Sequence, residues 1–493
     1  MTRHVLAIDQ GTTGSTCLMI GANGDVVGRG YREITQHFPR PGWVEHDPRE
    51  IVARTVDAAR EAIDQAGVVP EALGITNQRE TVVMWDRSTG EPVGRAIVWQ
   101  DRRTAPRCAE LAKRSDWFAK RTGLVVDPYF SATKLEWMLE ADPALASRAV
   151  AGELAAGTID AWLVWTLTGG RVHATDPTNA SRTLLFDIRT LGWSTELCGV
   201  FGIPMALLPE VRPSAGDFGS CDASFFGAPV PITGIAGDQQ AALFGQGCWT
   251  AGEGKNTYGT GAFLLLNTGA TCPAAGAGVL TTVACDAIGA PAYAMEGAIF
   301  IAGAALQWLR DGLGILRTAS ESEALARSLD SNDGVYFVPA LVGLGAPHWE
   351  PNARGTIVGL TRGTSGAHFA RAALEAMAYN TADVAAVMQR RAGVPFERLR
   401  VDGGAALNDW LMQYQADLLG IPVERPDMVE TTALGAAGLA GIAAGIWPDA
   451  AHFLETREYA RFTPGPGAPA AREAARGWER AVRAALAWAR DVG

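Results

Sequence analysis

Residues 4–34 read HVLAIDQGTTGSTCLMIGANGDVVGRGYREI. HVLAID (4–9) has the pattern of a buried strand, CLMIG (17–21) supplies its neighbour, and Asn23-Gly24 makes a tight hairpin turn into a third strand, VVGRGYREI (26–34). The chain therefore opens as an antiparallel meander. Spacing over 48–66 predicts a helix with Asp47 as N-cap, Pro48 at the first position, Glu50 at the third and Gly67 as its stop. ALGIT (72–76) and TVVMWD (81–86) are the next strands, with polar Asn77-Gln78-Arg79-Glu80 between them at a strand end. Helices are predicted over 159–167, 303–311, 366–391, 408–419, 432–445 and 470–490, with strands interleaved. KNTYGTGAFLLLN (255–267) repeats the opening unit of strand, Gly-rich turn and strand, so an α/β fold of two related halves is expected.

A chain of 493 residues exceeds the size at which one core keeps growing, which points to two large domains with a cleft between them. The segment PITGIAGDQQAALFGQG (231–247) is Gly-rich and turn-prone, and places the boundary near residue 246, giving domains 1–246 and 247–493. A net charge of −11 without a Lys/Arg-rich run argues against nucleic acid or an anionic membrane as partner. Seven scattered cysteines without CxxC spacing argue against a disulfide framework or a zinc site and fit a reducing, cytoplasmic compartment. Val5 to Ile8 is too short for a signal-peptide core, and ALGAAGLAGIAAGIW (433–447) is too short and too rich in Ala and Gly to span a bilayer, so a soluble protein is expected.

Four constellations carry chemistry. In Asp9-Gln10-Gly11-Thr12-Thr13-Gly14-Ser15 an acid at a strand end precedes a small-residue turn whose N–H groups can converge on phosphate, while Asp9 can hold Mg²⁺ directly or through water. An ordinary hairpin is the bland alternative. Gly259-Thr260-Gly261 and Val401-Asp402-Gly403-Gly404, the latter leading to Asn408 ahead of a helix, are weak singly. In this order the three suggest ATP held between two halves. Gly237-Asp238-Gln239-Gln240 puts a carboxylate near the expected boundary, where a kinase acting on an alcohol needs a general base; a solvated turn Asp is the alternative.

PGWVEHDP (41–48), GITNQRET (74–81), AIVWQDRRT (96–104), TDPTNASRT (175–183), GIAGDQQAALFGQ (234–246), KNTYGTG (255–261) and RVDGGAALN (400–408) together resemble the FGGY family of carbohydrate kinases over nearly the whole chain. The resemblance implies two ribonuclease H-like (actin-like ATPase) domains, each a mixed sheet flanked by helices, with the active site in the interdomain cleft. It further implies transfer of phosphate from ATP to glycerol. Arg79, Glu80, Tyr129, Asp238 and Gln239 would hold the glycerol hydroxyls, Trp99 and Phe263 would flank its carbons, and Asp238 would be the base. Thr12, Thr13, Gly14, Thr260, Gly303, Gln307, Gly404 and Asn408 would meet ATP, with Asp9 near the Mg²⁺. A homodimer or homotetramer is implied. A surface ion pair for Arg79–Glu80, a core aromatic for Trp99 and a solvent-facing Gln307 are the plainer alternatives. At the level of function they are a kinase for another small sugar or polyol, an actin-like ATPase with no polyol acceptor, and a regulatory protein that has lost catalysis.

Members of the resembled family commonly carry Arg where this chain has Thr16, and Ser where it has Gly14. The first difference removes a cation from the expected phosphate neighbourhood. The stretch Phe226-Gly227-Ala228-Pro229-Val230-Pro231 lacks the arginine of a fructose 1,6-bisphosphate loop, and no His lies between His173 and His348, so neither that inhibition nor activation by His phosphorylation is expected.

Overall fold

The computed structural model describes residues 3–428 and 430–490. Strands β1 (His4–Gln10), β2 (Gly14–Gly21) and β3 (Val26–Glu33) form the antiparallel meander, with Gly24 in the left-handed turn conformation that Asn-Gly favours. Helix α1 (Pro48–Ala66) lies across β2 and β3. Asp47 caps it by accepting from the N–H groups of Arg49 and Glu50, and Gly67 ends it at φ 67°. Glu50 does not close the reciprocal cap; its carboxylate accepts from Thr35 instead.

Strands β4 (Ala72–Asn77) and β5 (Val230–Gly237) add in parallel, so the first sheet runs β3-β2-β1-β4-β5, with the short strand Ser220–Cys221 at its edge. Residues 231–247 are thus a strand and a helix, α2 (Asp238–Gly245), rather than the expected run of turns. Their glycines serve close packing. A Cβ on Gly234 would meet the backbone N of Ala440 at 2.4 Å, and one on Gly245 would meet the carbonyl of Thr431 at 2.2 Å.

The second sheet uses β6 (Glu253–Tyr258), β7 (Ala262–Gly269), β8 (Pro291–Ile299), β9 (Arg398–Asp402) and β10 (Val423–Pro426). Its central order is β8-β7-β6-β9-β10, antiparallel for the first three strands and parallel for the last two, which repeats the five strands of the first sheet; Leu280–Cys285 beside β8 and Tyr459–Phe462 beside β10 complete it. Helices α3 (Gly303–Asp311), α4 (Gly366–Ala392) and α5 (Asp409–Leu419) belong to this half. Helix α6 (Thr431–Ala443) returns to the first sheet, where Ala433, Leu434, Ala437 and Ala440 form a core with Val5, Ala7, Leu18 and Ile20. Buried on all sides, it has the near-uniform apolar composition seen in the sequence. Among the described residues no helix is long and apolar enough to cross a membrane.

A smaller four-stranded sheet joins Glu45–His46, which precedes α1, to Val82–Asp86, Ala96–Ile97 and Leu154–Thr158 from the segment between β4 and β5. Trp99 follows one of its strands, and Tyr129 stands ahead of the helix Ala132–Ala141 that packs beneath it.

Candidate active site

Register brings the site together. Gln10, Asn77 and Gly237 are level neighbours at the carboxyl ends of the three parallel strands β1, β4 and β5. The turn 11–14, the pair Arg79–Glu80 and Asp238 therefore leave the sheet at one place, where ligands gather in open α/β sheets. Asp238 opens α2, and its carboxylate accepts from the N–H of Gln239 (2.7 Å). Glu80 is buried at φ 63°, a left-handed conformation that a non-glycine residue adopts only under strong local constraint.

Thr12, Arg79, Glu80, Trp99 and Tyr129 of the first half, with Asp238, Gln239 and, from β7, Phe263, line one cavity of about 70 Å³. Trp99 stands edge-on to Tyr129, with ring centroids 5.4 Å apart, and its indole N–H donates to Thr12 Oγ1 at 2.9 Å, tying the small sheet to the Gly-rich turn. Two larger concavities, about 380 and 420 Å³, open on the surface beside Arg29 and Glu430 and beside Arg60 and Phe225. Neither contains a constellation singled out in the sequence, so the smaller cavity is the one with chemistry.

Beneath the cavity lies a network that the sequence did not reveal. Glu296 on β8 accepts from Arg79 at both oxygens (2.6 and 3.1 Å) and from Arg182 (3.0 Å), while Glu80 accepts from Arg182 Nε (2.6 Å). Arg79 Nε is also 3.0 Å from Asp238 Oδ1, but its N–H is not aimed along that line, so this contact is an ion pair without a hydrogen bond. Burial works to raise the Glu296 carboxyl, yet Arg182 and Arg79 outweigh it and bring it down to about 2. At Glu80, with a single direct hydrogen bond, burial prevails over Arg182 and Arg79, and the carboxyl is raised. Lys255, buried on β6, donates to Gln239 Oε1 and to Thr257 Oγ1 (2.8 Å). Burial lowers its ammonium to about 8 against the pull of Asp402, Asp238 and Glu296.

Asp9 sits on β1 beside this group. Burial, and then the charge of Asp238, push its carboxyl up to about 7, and no donor among the described residues reaches its oxygens. Thr16 is its cross-strand neighbour. Gly14 follows from packing: a Cβ there would stand 2.5 Å from the carbonyl oxygen of Arg32 on β3, so a Ser would displace that strand.

On the second half, Thr257 and Asp402 are level neighbours in the parallel strands β6 and β9, which brings the turn Gly259-Thr260-Gly261 next to Gly403-Gly404. The carbonyls of Gly259 and Thr260 accept from the N–H groups of Gly303 (3.0 Å) and Ala302 (2.8 Å), so that turn rests on the start of α3. Thr260, Gly404 and Gln307 are exposed along this rim. Asn408 caps α5 by accepting from Leu411 N–H (2.9 Å) and reaches Ser322 through its amide.

The profile of the N-terminal domain of the FGGY family of carbohydrate kinases matches residues 4–245, and that of the C-terminal domain matches 254–444. The chain belongs to this family. Within it, the chain is 54% identical to the glycerol kinase of Dechloromonas aromatica (strain RCB), covering 99% of this chain and 98% of that protein. It is 56% identical to the glycerol kinase of Thermus brockianus, over 99% of this chain and all of that one. Among solved structures, Plasmodium falciparum glycerol kinase with ADP superposes with a TM-score of 0.94 at 35% identity, covering 98% of both chains. The FGGY kinase fold of two mixed sheets flanked by helices is therefore established for this chain, and so is ATP-dependent kinase activity as a family property.

Proposed function

We infer that this FGGY kinase phosphorylates glycerol, producing sn-glycerol 3-phosphate and ADP. The observation that carries this reading is the cavity itself, where a carboxylate at a helix start, an Arg–Glu pair and three aromatic rings enclose a volume suited to a small polyol. Full-length likeness to glycerol kinases supports it.

Asp238 accepts the proton of the attacking hydroxyl as its oxygen bonds to phosphorus and the bond to ADP breaks. Arg79, Glu80, Tyr129 and Gln239 orient the hydroxyls, and Trp99 and Phe263 flank the carbon chain. Because Lys255 occupies the carbonyl oxygen of Gln239, the amide NH₂ is left to face the substrate. Thr12, Thr13 and Gly14 on one side, and Thr260, Gly303, Gln307, Gly404 and Asn408 on the other, take ATP between the halves. Mg²⁺ bound with the nucleotide would neutralise phosphate charge. Asp9 is the residue that fits it, a carboxylate raised by burial and by the charge of Asp238 with no cation among the described residues paired to it.

The same reading divides the chain near residue 246, with α6 crossing back to the first unit, and has the enzyme work in the cytoplasm as a homodimer or homotetramer without nucleic-acid or membrane partners. ADP release from MgATP, measured with and without glycerol and against xylulose, gluconate, ribulose and dihydroxyacetone, tests the function. Strong stimulation by glycerol with glycerol 3-phosphate as product is expected. Stimulation by another sugar alone, or turnover indifferent to any polyol, would overturn it.

A further inference from the structure

Phe263 and Glu296 come from adjacent antiparallel strands of the second half. Phe263 pairs with Ala298 and Leu265 with Glu296, so the two side chains share one face of the sheet. That face meets the first half at the cavity. Phe263 lines the cavity directly, while Glu296 lies behind it, and its carboxylate accepts hydrogen bonds from Arg79 and Arg182, both contributed by the first half.

We propose that Glu296, together with Arg182, is a positioning residue for the acceptor pocket, an interdomain strut that sets the guanidinium of Arg79 and thereby assembles the polyol site only when the two halves meet. This rests on the glycerol reading above. Several observations converge on it. Arg79, Glu80, Arg182 and Glu296 are each at most 2% exposed, so bulk solvent does not compete for the charge pairs among them. Glu296 binds both nitrogens at the fork of Arg79, a two-point contact that fixes the plane of the group as well as its place. Arg182 continues the chain from Glu296 to Glu80, and its guanidinium carbon stands 5.7 Å from the ring centroid of Tyr129, so three lining residues are held by one pair.

Charge bookkeeping sharpens the point. Arg79 and Arg182 face Glu80, Glu296 and Asp238; removing Glu296 leaves Arg79 with Asp238 as its remaining close carboxylate, apart from a longer contact to Glu80. Arg79, whose Nε already forms an ion pair with Asp238 at 3.0 Å without a hydrogen bond, would lose its two-point anchor and turn its donors onto Asp238, tightening the hold of a cation on the group that must receive the hydroxyl proton. The strut thus keeps the two outer nitrogens of Arg79 on Glu296 and off the base.

The test is steady-state kinetics of Glu296→Gln, Glu296→Asp, Arg182→Lys and the parent enzyme, with KM for glycerol and KM for ATP measured separately. Glu296→Gln should raise KM for glycerol and lower kcat, together costing roughly ten- to hundredfold in kcat/KM for glycerol, with KM for ATP within about twofold. Glu296→Asp keeps the charge but is shorter by one methylene, and should fall between Gln and the parent. It also serves if the Gln variant does not fold. Arg182→Lys, which keeps charge and loses the fork, should raise KM for glycerol in the same direction. An unchanged KM for glycerol in Glu296→Asp or Glu296→Gln, or an equal rise in KM for ATP, would overturn the strut. Absence of glycerol turnover in the parent enzyme would instead overturn the underlying function.

Discussion

The two sheets share one topology, and at the same level in each a carboxylate faces a threonine across parallel strands. In the first sheet the acid is on the hairpin strand, Asp9 opposite Thr76; in the second it is on the crossover strand, Asp402 opposite Thr257. Their surroundings differ completely. One oxygen of Asp402 accepts from Gln246 (2.7 Å) and from Thr431, so it joins the end of α2 to the start of α6. Asp9 receives no such support and is pushed up to about 7. At one level of a duplicated fold, but on non-equivalent strands, the two halves thus hold one acid that knits the protein together and one that no donor among the described residues reaches. What makes a carboxylate available for chemistry is the set of partners withheld from it.

The largest effect in this contrast belongs to the proposed base. Asp238→Asn should lower kcat by roughly 10² to 10⁴ while leaving glycerol binding, followed by calorimetry, largely intact. Near-normal turnover would remove Asp238 from the mechanism. Asp9 and Asp402 should then separate in opposite directions. Asp9→Asn should cut turnover by roughly 10²-fold or more yet raise the thermal midpoint at pH 8, because it removes a half-buried charge that faces Asp238 and accepts no hydrogen bond from the described residues. The pH dependence has a definite sign. With a folded value near 7 against 3.8 for the ordinary carboxyl, the folded protein holds the proton more tightly, so the Asp9 contribution to stability falls as pH rises between those values. The midpoint gain of Asp9→Asn should accordingly shrink as pH drops toward 4, and a gain that does not change with pH would contradict the assignment. Asp402→Ala should do the reverse, losing about 1–3 kcal/mol in denaturant unfolding because Gln246 and Thr431 lose their acceptor, while kcat stays within a few fold, about the level of a structural change. The smallest effect is expected from Thr16→Arg. A cation beside Asp9 and the Gly-rich turn should lower KM for ATP by roughly two- to tenfold, and an unchanged or higher KM would mean that phosphate charge is met elsewhere.

The opening meander and α1 were legible because their signals are local: an Asn-Gly turn, an Asp cap before Pro and a terminal Gly all act within a few residues. The duplicated plan was visible in the two Gly-rich hairpins. Residues 231–247 misled because glycine marks both turns and close approach, and only the return of α6, some two hundred positions later, decides between them. Arg182, Lys255 and Glu296 were missed for a related reason. Arg79 and Glu296 are 217 positions apart, and nothing local relates them. A faint signal did exist in PAYAMEGAI (291–299), where a lone Glu interrupts an otherwise apolar and small-residue strand; a charge in such a place must be buried and therefore paired.

Helix α6 has a consequence for the order in which the enzyme is made. Its apolar surface covers β1, β4 and β5, strands that emerge from the ribosome long before residues 431–443 exist. At synthesis rates of roughly 5–20 residues per second, the sheet that carries Asp9, Arg79 and Asp238 waits on the order of ten to forty seconds after its last strand for the helix that seals it. During that interval the nascent chain exposes a sticky, half-covered sheet, and the first catalytic unit becomes complete only when the second is nearly finished.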